Sequence, residues 1–137
     1  MKTLAVIVAR GETNNLVQVA TLLMAAVGSG IAVRVFFRDE AIYRITRDGA
    51  KDAAFSAGYR GREAQVRVEL ERQGLADLPA LLAQIKEIGD ARLYACSSSL
   101  AICGVDAAAL LPEIDGVRGL TAFLLEDVAQ ADRVLTF

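Results

Sequence analysis

Apolar runs alternate with apolar helical stripes along the first part of the chain. The first run, Thr3 to Ala9, is uninterrupted, and the second, Ile31 to Phe37, is interrupted only by one arginine. Runs of this kind, rich in β-branched residues, are typical of strands buried on both faces of a parallel sheet. Between them, Leu16 to Val27 predicts a helix that ends at the glycines of residues 28–30. Strand, helix and strand with short loops predict a right-handed parallel crossover.

The first predicted helix is more apolar than one sheet face requires. Its polar positions Asn14, Gln18 and Thr21 form one narrow stripe. A helix that covers one face of a sheet needs an apolar surface of only about 100°. The additional apolar surface indicates either a contact with a second subunit or a second helix of the same chain that lies over it.

A second amphipathic helix follows later in the chain, in DLPALLAQIKEIG. Asp77 is its predicted N-cap, Pro79 lies in its first turn, and Gly89 ends it. Its apolar stripe consists of Leu78, Leu81, Leu82, Ile85 and Ile88.

The C-terminal third continues the alternation of strands and helices. Arg92 to Ala95 predicts a third strand that runs into Cys96, and a short helix fits residues 98–103. A short strand or a turn is expected around Val117, then a helix, then a terminal strand over Arg133 to Phe137. The whole pattern predicts an α/β domain with four or five mostly parallel strands.

The segment from Arg38 to Gly74 differs from the rest, since it holds 15 of the 32 charged residues. Within it, REAQVRVELERQG fits both a strand and a helix, and its Glu, Gln, Arg and Leu residues favour a helix. We expect a solvated excursion between strands, with a lid or a partner surface as the alternative.

Composition narrows the classes of function. The 137 residues fit one domain over residues 1–137, and a net charge of −2 favours neither direct nucleic-acid binding nor an anionic membrane. Histidine is absent and there are two cysteines, which excludes Cys₄ and His-containing zinc sites and every histidine base. No dinucleotide or Walker motif is present, so we expect neither a metal nor a cofactor.

No segment favours membrane insertion or export. The run from Leu4 to Ala9 is too short for a signal-peptide core, and glycines 28 and 30 divide the uncharged stretch 14–33. We expect a cytoplasmic protein without a membrane span.

The main chemical candidate is Cys96, where the third predicted strand ends and a helix begins. Ligands of open α/β sheets bind at the carboxyl ends of strands, where the strand order reverses. In a flavodoxin-like order that point lies between the first and third strands. Arg10, Thr13 and Asn14 would then lie near Cys96 and the serines Ser97, Ser98 and Ser99.

A helix N-terminus favours the thiolate form of Cys96, because its unpaired amides and its dipole stabilise negative charge. The serine hydroxyls and free amides can also bind an anion carried on the sulfur. The alternative is a small apolar residue in the core, since free cysteine is often buried.

Cys103 is the weaker candidate. Seven helical residues place it about 10.5 Å from Cys96, whereas a disulfide needs Cα atoms within about 7 Å. We interpret it as a packing residue, with a second thiol role as the alternative.

The sequence resembles the DsrE/DsrF-like sulfur-relay family in three places. These are YACSSSLAICGVD, with Ala95-Cys96 followed by Gly104-Val105, the closing ADRVLTF, and the opening KTLAVIVARGETNNLVQVATLLMAA. Arg38 to Gly74 is not diagnostic. Within the family, the C-terminal pattern is most similar to a subgroup labelled peroxiredoxin-like.

The resemblance implies a flavodoxin-like three-layer sandwich, with helices on both faces, that assembles into a homotrimer or hexamer. It implies a sulfur carrier or sulfurtransferase in which Cys96 accepts sulfane sulfur, as a persulfide or thiosulfonate, from one relay protein and passes it to another. Alternatives are a non-catalytic subunit of a sulfur-relay complex, or a thiol peroxidase or redox protein with Arg10 or Thr13 near the thiolate.

Overall fold

The computed structural model describes all residues from 1 to 137. Its strands are β1 (Thr3–Val8), β2 (Ala32–Phe37), β3 (Ala91–Cys96), β4 (Gly116–Arg118) and β5 (Arg133–Thr136). They form one sheet in the order β4-β3-β2-β1-β5, and every neighbouring pair is parallel. The predicted α/β class and mostly parallel sheet are confirmed.

Six α-helices connect the strands. They are α1 (Thr13–Gly28), α2 (Ala41–Arg44), α3 (Glu63–Arg72), α4 (Leu78–Ile88), α5 (Ser97–Cys103) and α6 (Leu120–Glu126). Single 3₁₀ turns lie at Gly49–Lys51, Ala57–Tyr59, Ala107–Ala109 and Val128–Gln130. None of the helices is long and apolar enough to cross a membrane.

Both faces of the sheet are covered, as the three-layer sandwich requires. Alternate residues of a strand point to opposite faces. On β1, Leu4, Val6 and Val8 join a buried cluster of 26 residues that includes the inner sides of α1 and α4. Ala5 instead joins a cluster of four on the other face, to which α6 contributes Phe123. The first face therefore holds the main core, and the second holds a thin layer under α6.

The strand order differs from the one we expected, because β2 lies between β1 and β3. Successive right-handed crossovers in one direction place their helices on the same face, and the chain proceeds from β1 through β2 and β3 to β4 in this way. Only the connection through α6 returns across the second face and places β5 beside β1. The order reverses between β1 and β5, so the expected reversal between β1 and β3 is wrong.

The additional apolar surface of α1 is explained within the chain. Helix α4 packs along α1, and the approach is so close that a Cβ atom on Gly89 would lie 2.9 Å from Cβ of Val27. Of the two readings of this surface, the second helix of the same chain is the one the structure supports. The α4 prediction is otherwise confirmed, with Asp77 capping the amide of Ala80 at 3.1 Å, except that Ile88 is exposed.

The charged segment between β2 and β3 forms an excursion over the first face. It contains α2, two 3₁₀ turns and α3, so the helical reading of REAQVRVELERQG is confirmed. No residue of α3 is buried. The helix is therefore held by few contacts, in agreement with a solvated excursion.

Candidate functional site

Cys96 lies at the junction between β3 and α5. It is the last strand residue and the N-cap of the helix, with an extended backbone (φ −70°, ψ 123°). The helix begins at Ser97, one residue before the predicted start, and ends at Gly104, whose φ of 64° is left-handed. Glycine adopts that conformation without a side-chain clash, which gives the short helix a defined end. The expected strand-to-helix position of the thiol is confirmed.

Neutral hydrogen-bond donors surround the Cys96 sulfur. Burial raises the pKa of Cys96, but the hydroxyl groups of Ser98 and Ser99 and the backbone N–H groups of both residues lower it, and the resulting pKa is below its usual value. The Ser98 Oγ atom lies 3.2 Å from Sγ. No charged group contributes to the shift. The first turn of α5 therefore favours the thiolate without a histidine or a lysine.

The same sulfur is covered by aromatic side chains. Cys96 is 0% exposed and belongs to the second-face cluster with Ala5, Phe36 and Phe123. The rings of Phe36 and Phe123 stack with centroids 4.6 Å apart. Ser98, in contrast, is exposed. A reagent can reach Sγ only after a covering group moves, and Ser98 is the neighbour on the solvent side.

Arg118, which is not among the residues expected near Cys96, places a positive charge beside the site. Arg118 is paired with Cys96 in the β3–β4 register, and its guanidinium stacks over the Tyr94 ring at 4.4 Å. It forms ion pairs with Glu126 at 3.0 Å and with the buried Asp127. These partners hold the guanidinium, so it tethers the end of α6 to β4. The sequence has no local signal for this position, because Arg118 lies beside Cys96 only through the pairing of β3 with β4.

Thr13 and Asn14, expected beside Cys96, anchor a different part of the chain. Asn14 Oδ1 accepts from the Ser56 amide at 2.9 Å, and Thr13 Oγ1 accepts from the Ala54 amide at 3.1 Å. Because β2 separates β1 from β3, the loops after β1 and β3 start about 10 Å apart, twice the strand spacing. The expectation that Thr13 and Asn14 lie beside Cys96 is therefore wrong, and the strand order is the reason.

Arg10 also lies after β1, on the far side of β2. Its guanidinium donates to Asn15 Oδ1 at 3.0 Å, and Asn15 in turn donates to the Arg10 carbonyl. Neither Arg10 nor Thr13 contributes to the pKa of Cys96. The structure gives no support to these two residues as activators of a peroxidatic thiolate.

The three serines are not equivalent. Ser97 is exposed, and its Oγ atom lies 3.9 Å from the position of a Cβ on Gly119, the N-cap of α6. Ser99 is buried, and its Oγ accepts from the Asp39 amide at 2.9 Å, which ties α5 to the loop after β2. Ser98 alone combines exposure with a direct contact to Sγ.

Cys103 lies at the other end of α5 and packs against the first-face core, whereas Cys96 belongs to the second-face cluster. Both thiols are free. Cys103 Sγ donates to the Asp39 carbonyl at 3.6 Å, and its hydrogen bond with the Tyr43 hydroxyl raises the pKa of that tyrosine. These contacts agree with the reading of Cys103 as a packing residue.

No group of three His, Cys, Asp or Glu side chains is arranged to hold a metal ion.

Comparison with known proteins decides the family. The model of the DsrE/DsrF-like family matches residues 2–137, essentially the whole chain. The protein belongs to the DsrE/DsrF-like family. Among solved structures, the protein of unknown function MTH1491 from Methanobacterium thermoautotrophicum is similar, with a TM-score of 0.63, 13% identity, and 98% of this chain and 99% of that chain covered. No curated protein matches the chain.

The match to the DsrE/DsrF-like family model includes the charged segment 38–74, whereas the motifs that resemble the family lie only towards the two ends of the chain. At 13% identity, the likeness to MTH1491 shows the shared fold. Membership in the DsrE/DsrF-like family supports a role related to sulfur relay.

Proposed function

We propose that this protein is a sulfur carrier in which Cys96 accepts sulfane sulfur and passes it on within a sulfur-relay system. The observation that carries the proposal is the environment of Sγ, which lies at the start of α5 with Ser98 Oγ at 3.2 Å and a lowered pKa. Thiolate is the nucleophilic form of cysteine, so a lowered pKa increases the reactive fraction at neutral pH.

The chemistry needs only thiolates and a donor sulfur. The Cys96 thiolate attacks the outer sulfur of a donor persulfide, a new S–S bond forms, and the donor S–S bond breaks with its electron pair on the departing thiolate. An acceptor thiolate then attacks the outer sulfur on Cys96, and the Cys96 thiolate is regenerated. No net oxidant or reductant is consumed, and no metal or cofactor takes part.

The donors around Sγ suit the loaded form as well. A persulfide anion carries its charge on the outer sulfur, one bond further from the backbone. The hydroxyl of Ser98 and the amides of the first turn of α5 can stabilise that charge, because they already stabilise the thiolate. Loading also requires space, since Sγ is covered in the free protein. A movement of one of the groups around Sγ, such as the exposed Ser98 side chain or the Phe123 ring, is therefore part of the proposal.

A second candidate is a non-catalytic subunit of a sulfur-relay complex, and the burial of Cys96 at 0% exposure favours it. Exposed apolar residues on α6, Leu124 at 52% and Leu125 at 65%, also suit contact with another subunit. We propose a homotrimer or hexamer because of the resemblance to the DsrE/DsrF-like family, and these exposed residues suit its contacts. Solution mass tests it, since a monomer of 14.6 kDa at micromolar concentration contradicts assembly.

Intact mass after incubation with glutathione persulfide distinguishes the two candidates. A carrier gains one sulfur atom, Cys96→Ser gains none, and Cys103→Ser, which keeps the proposed acceptor, gains as much as the parent. Equal loading of Cys96→Ser and the parent would falsify the carrier proposal. Absence of loading on all three favours the non-catalytic subunit.

A further inference from the structure

A pocket of about 210 Å³ lies on the first face, between α3 and the body of the protein. Hydrophobic residues make up 10 of the 16 that line it. That space is many times the roughly 10–15 Å³ that one water molecule needs by the same measure, so the pocket can hold a small organic molecule. None of the lining residues belongs to the Cys96 cluster, so the pocket is separate from the proposed sulfur site.

A buried arginine forms part of the wall. Arg44 is 7% exposed, and it forms no ion pair with any carboxylate. Its guanidinium donates to the carbonyl groups of Gly11, Gly49 and Asp52 and to Thr13 Oγ1. Burial lowers the pKa of Arg44, and the charge of Asp52 opposes that effect only in part. A buried cation without a paired acid is costly, and an anion bound nearby reduces that cost.

Two further cations line the pocket, Lys51 and Arg67, and neither takes part in a salt bridge. Together with Arg44 they give three positive charges against the two carboxylates of Asp52 and Glu71, a net charge of +1. The five N–H groups of Arg44 all have acceptors within the protein. Lys51 and Arg67 are exposed, so their donors are free for a ligand.

We propose that this pocket binds a small organic anion with an apolar body, of the size of a six-carbon carboxylate. The hydrocarbon body lies against leucines of the wall such as Leu16, Leu70 and Leu81. The anionic head contacts Lys51 and Arg67, and Arg44 supplies a fixed positive charge behind them. Since α3 has no buried residue of its own, a ligand beneath Leu70 completes the contacts of that helix.

The test is an NMR titration of the ¹⁵N-labelled protein with hexanoate, and with 1-hexanol as the uncharged control of the same chain length. Hexanoate is expected to shift amides of the pocket wall in the millimolar range and to leave those of Ser97 and Ser98 unchanged. Hexanol is expected to bind at least fivefold more weakly. Equal binding of both probes overturns the anion proposal, and absence of local shifts overturns the site.

Two variants locate the binding. Leu70→Trp fills the pocket from an unburied helix and is expected to abolish the shifts. Arg67→Gln is expected to weaken hexanoate about fivefold, because an ion contact near 4 Å in water is worth about 1 kcal/mol, which corresponds to about that change in Kd. Arg60→Gln, which removes an exposed charge that does not line the pocket, is the matched control. Equal weakening by Arg60→Gln and Arg67→Gln contradicts the proposal, and it does so even if Leu70→Trp fails to fold.

Discussion

Ser98→Ala removes the one hydroxyl that is both exposed and in contact with the Cys96 sulfur, at 3.2 Å. A typical intramolecular hydrogen bond contributes roughly 0.5–1.5 kcal/mol net, and the middle of that range is used for this hydroxyl. About 1 kcal/mol lowers an equilibrium constant by roughly fivefold. At a pH below the titration of the thiol, we expect Ser98→Ala to have about one-fifth of the thiolate of the parent. The pKa of Cys96 should therefore rise in this variant.

The assay is the rate of iodoacetamide alkylation at Cys96 as a function of pH, in a Cys103→Ser background that leaves one thiol. The midpoint of the profile reports the pKa of Cys96, whereas the plateau reports the reactivity and accessibility of the thiolate. Any change in access to Sγ alters the plateau without moving the midpoint. Ser97→Ala is the matched control, because Ser97 does not contribute to the pKa of Cys96. If the midpoint of Ser98→Ala matches that of Ser97→Ala, the account of the thiolate is refuted.

Three other predictions concern the surroundings of the two sites. Phe123→Ala should lower the free energy of unfolding by about 3 kcal/mol, because it removes the only buried residue of α6, and it should raise the alkylation plateau of Cys96. Urea unfolding measures the first effect, and a loss below about 1 kcal/mol contradicts it. Arg44→Leu should lower the free energy of unfolding by about 2–3 kcal/mol, because three carbonyl groups lose their donor. If Arg44→Leu lowers it no more than the exposed-site control Arg60→Leu does, this account of Arg44 is wrong. The backbone N–H groups of Thr3 and Lys2 lower the pKa of Asp132, so the folded state keeps this carboxylate ionised to lower pH than the unfolded chain. Its contribution to stability is present above the unfolded pKa and is lost as pH falls below about 3.9, and Asp132→Asn should show a flatter acid profile. If the stability of Asp132→Asn depends on pH as that of the parent does, Asp132 does not contribute to acid sensitivity.

Local patterns along the sequence were sufficient for the elements and for the position of Cys96. The apolar runs that became β1 and β2 are buried on the first face, and the capping residue Asp77 and the terminator Gly89 of α4 lie as predicted. These features depend on neighbours a few residues apart. The strand-to-helix junction at Cys96 is predictable for the same reason, because it is defined by an apolar strand followed directly by small polar residues.

The partners of Cys96 could not be derived in this way. They depend on which strands are neighbours, and no residue in β1 or β3 specifies that β2 lies between them. The order follows from the face on which each connection crosses the sheet, which is a property of the whole chain. For this reason the sequence predicts the wrong neighbours for Arg10, Thr13 and Asn14, and it gives no indication that Arg118 and Tyr94 lie near Cys96.

The burial of Cys96 also depends on tertiary structure. The sequence left two interpretations open, a reactive thiol and a small core residue, and the structure shows features of both. The thiol is 0% exposed among aromatic rings, and its pKa is nevertheless lowered by the first turn of α5. A buried residue with only a packing role needs no such donors. Their presence is what favours the carrier over the non-catalytic subunit.

The release of loaded sulfur tests the central claim most directly. The parent protein is loaded with glutathione persulfide, freed of donor, and treated with cyanide, which removes sulfane sulfur as thiocyanate. Peptide mass mapping locates the sulfur before and after this step. The account predicts sulfur on the peptide that contains Cys96, about one thiocyanate per loaded chain, and none from Cys96→Ser. Sulfur found on Cys103 instead, or thiocyanate released equally by Cys96→Ser, contradicts it.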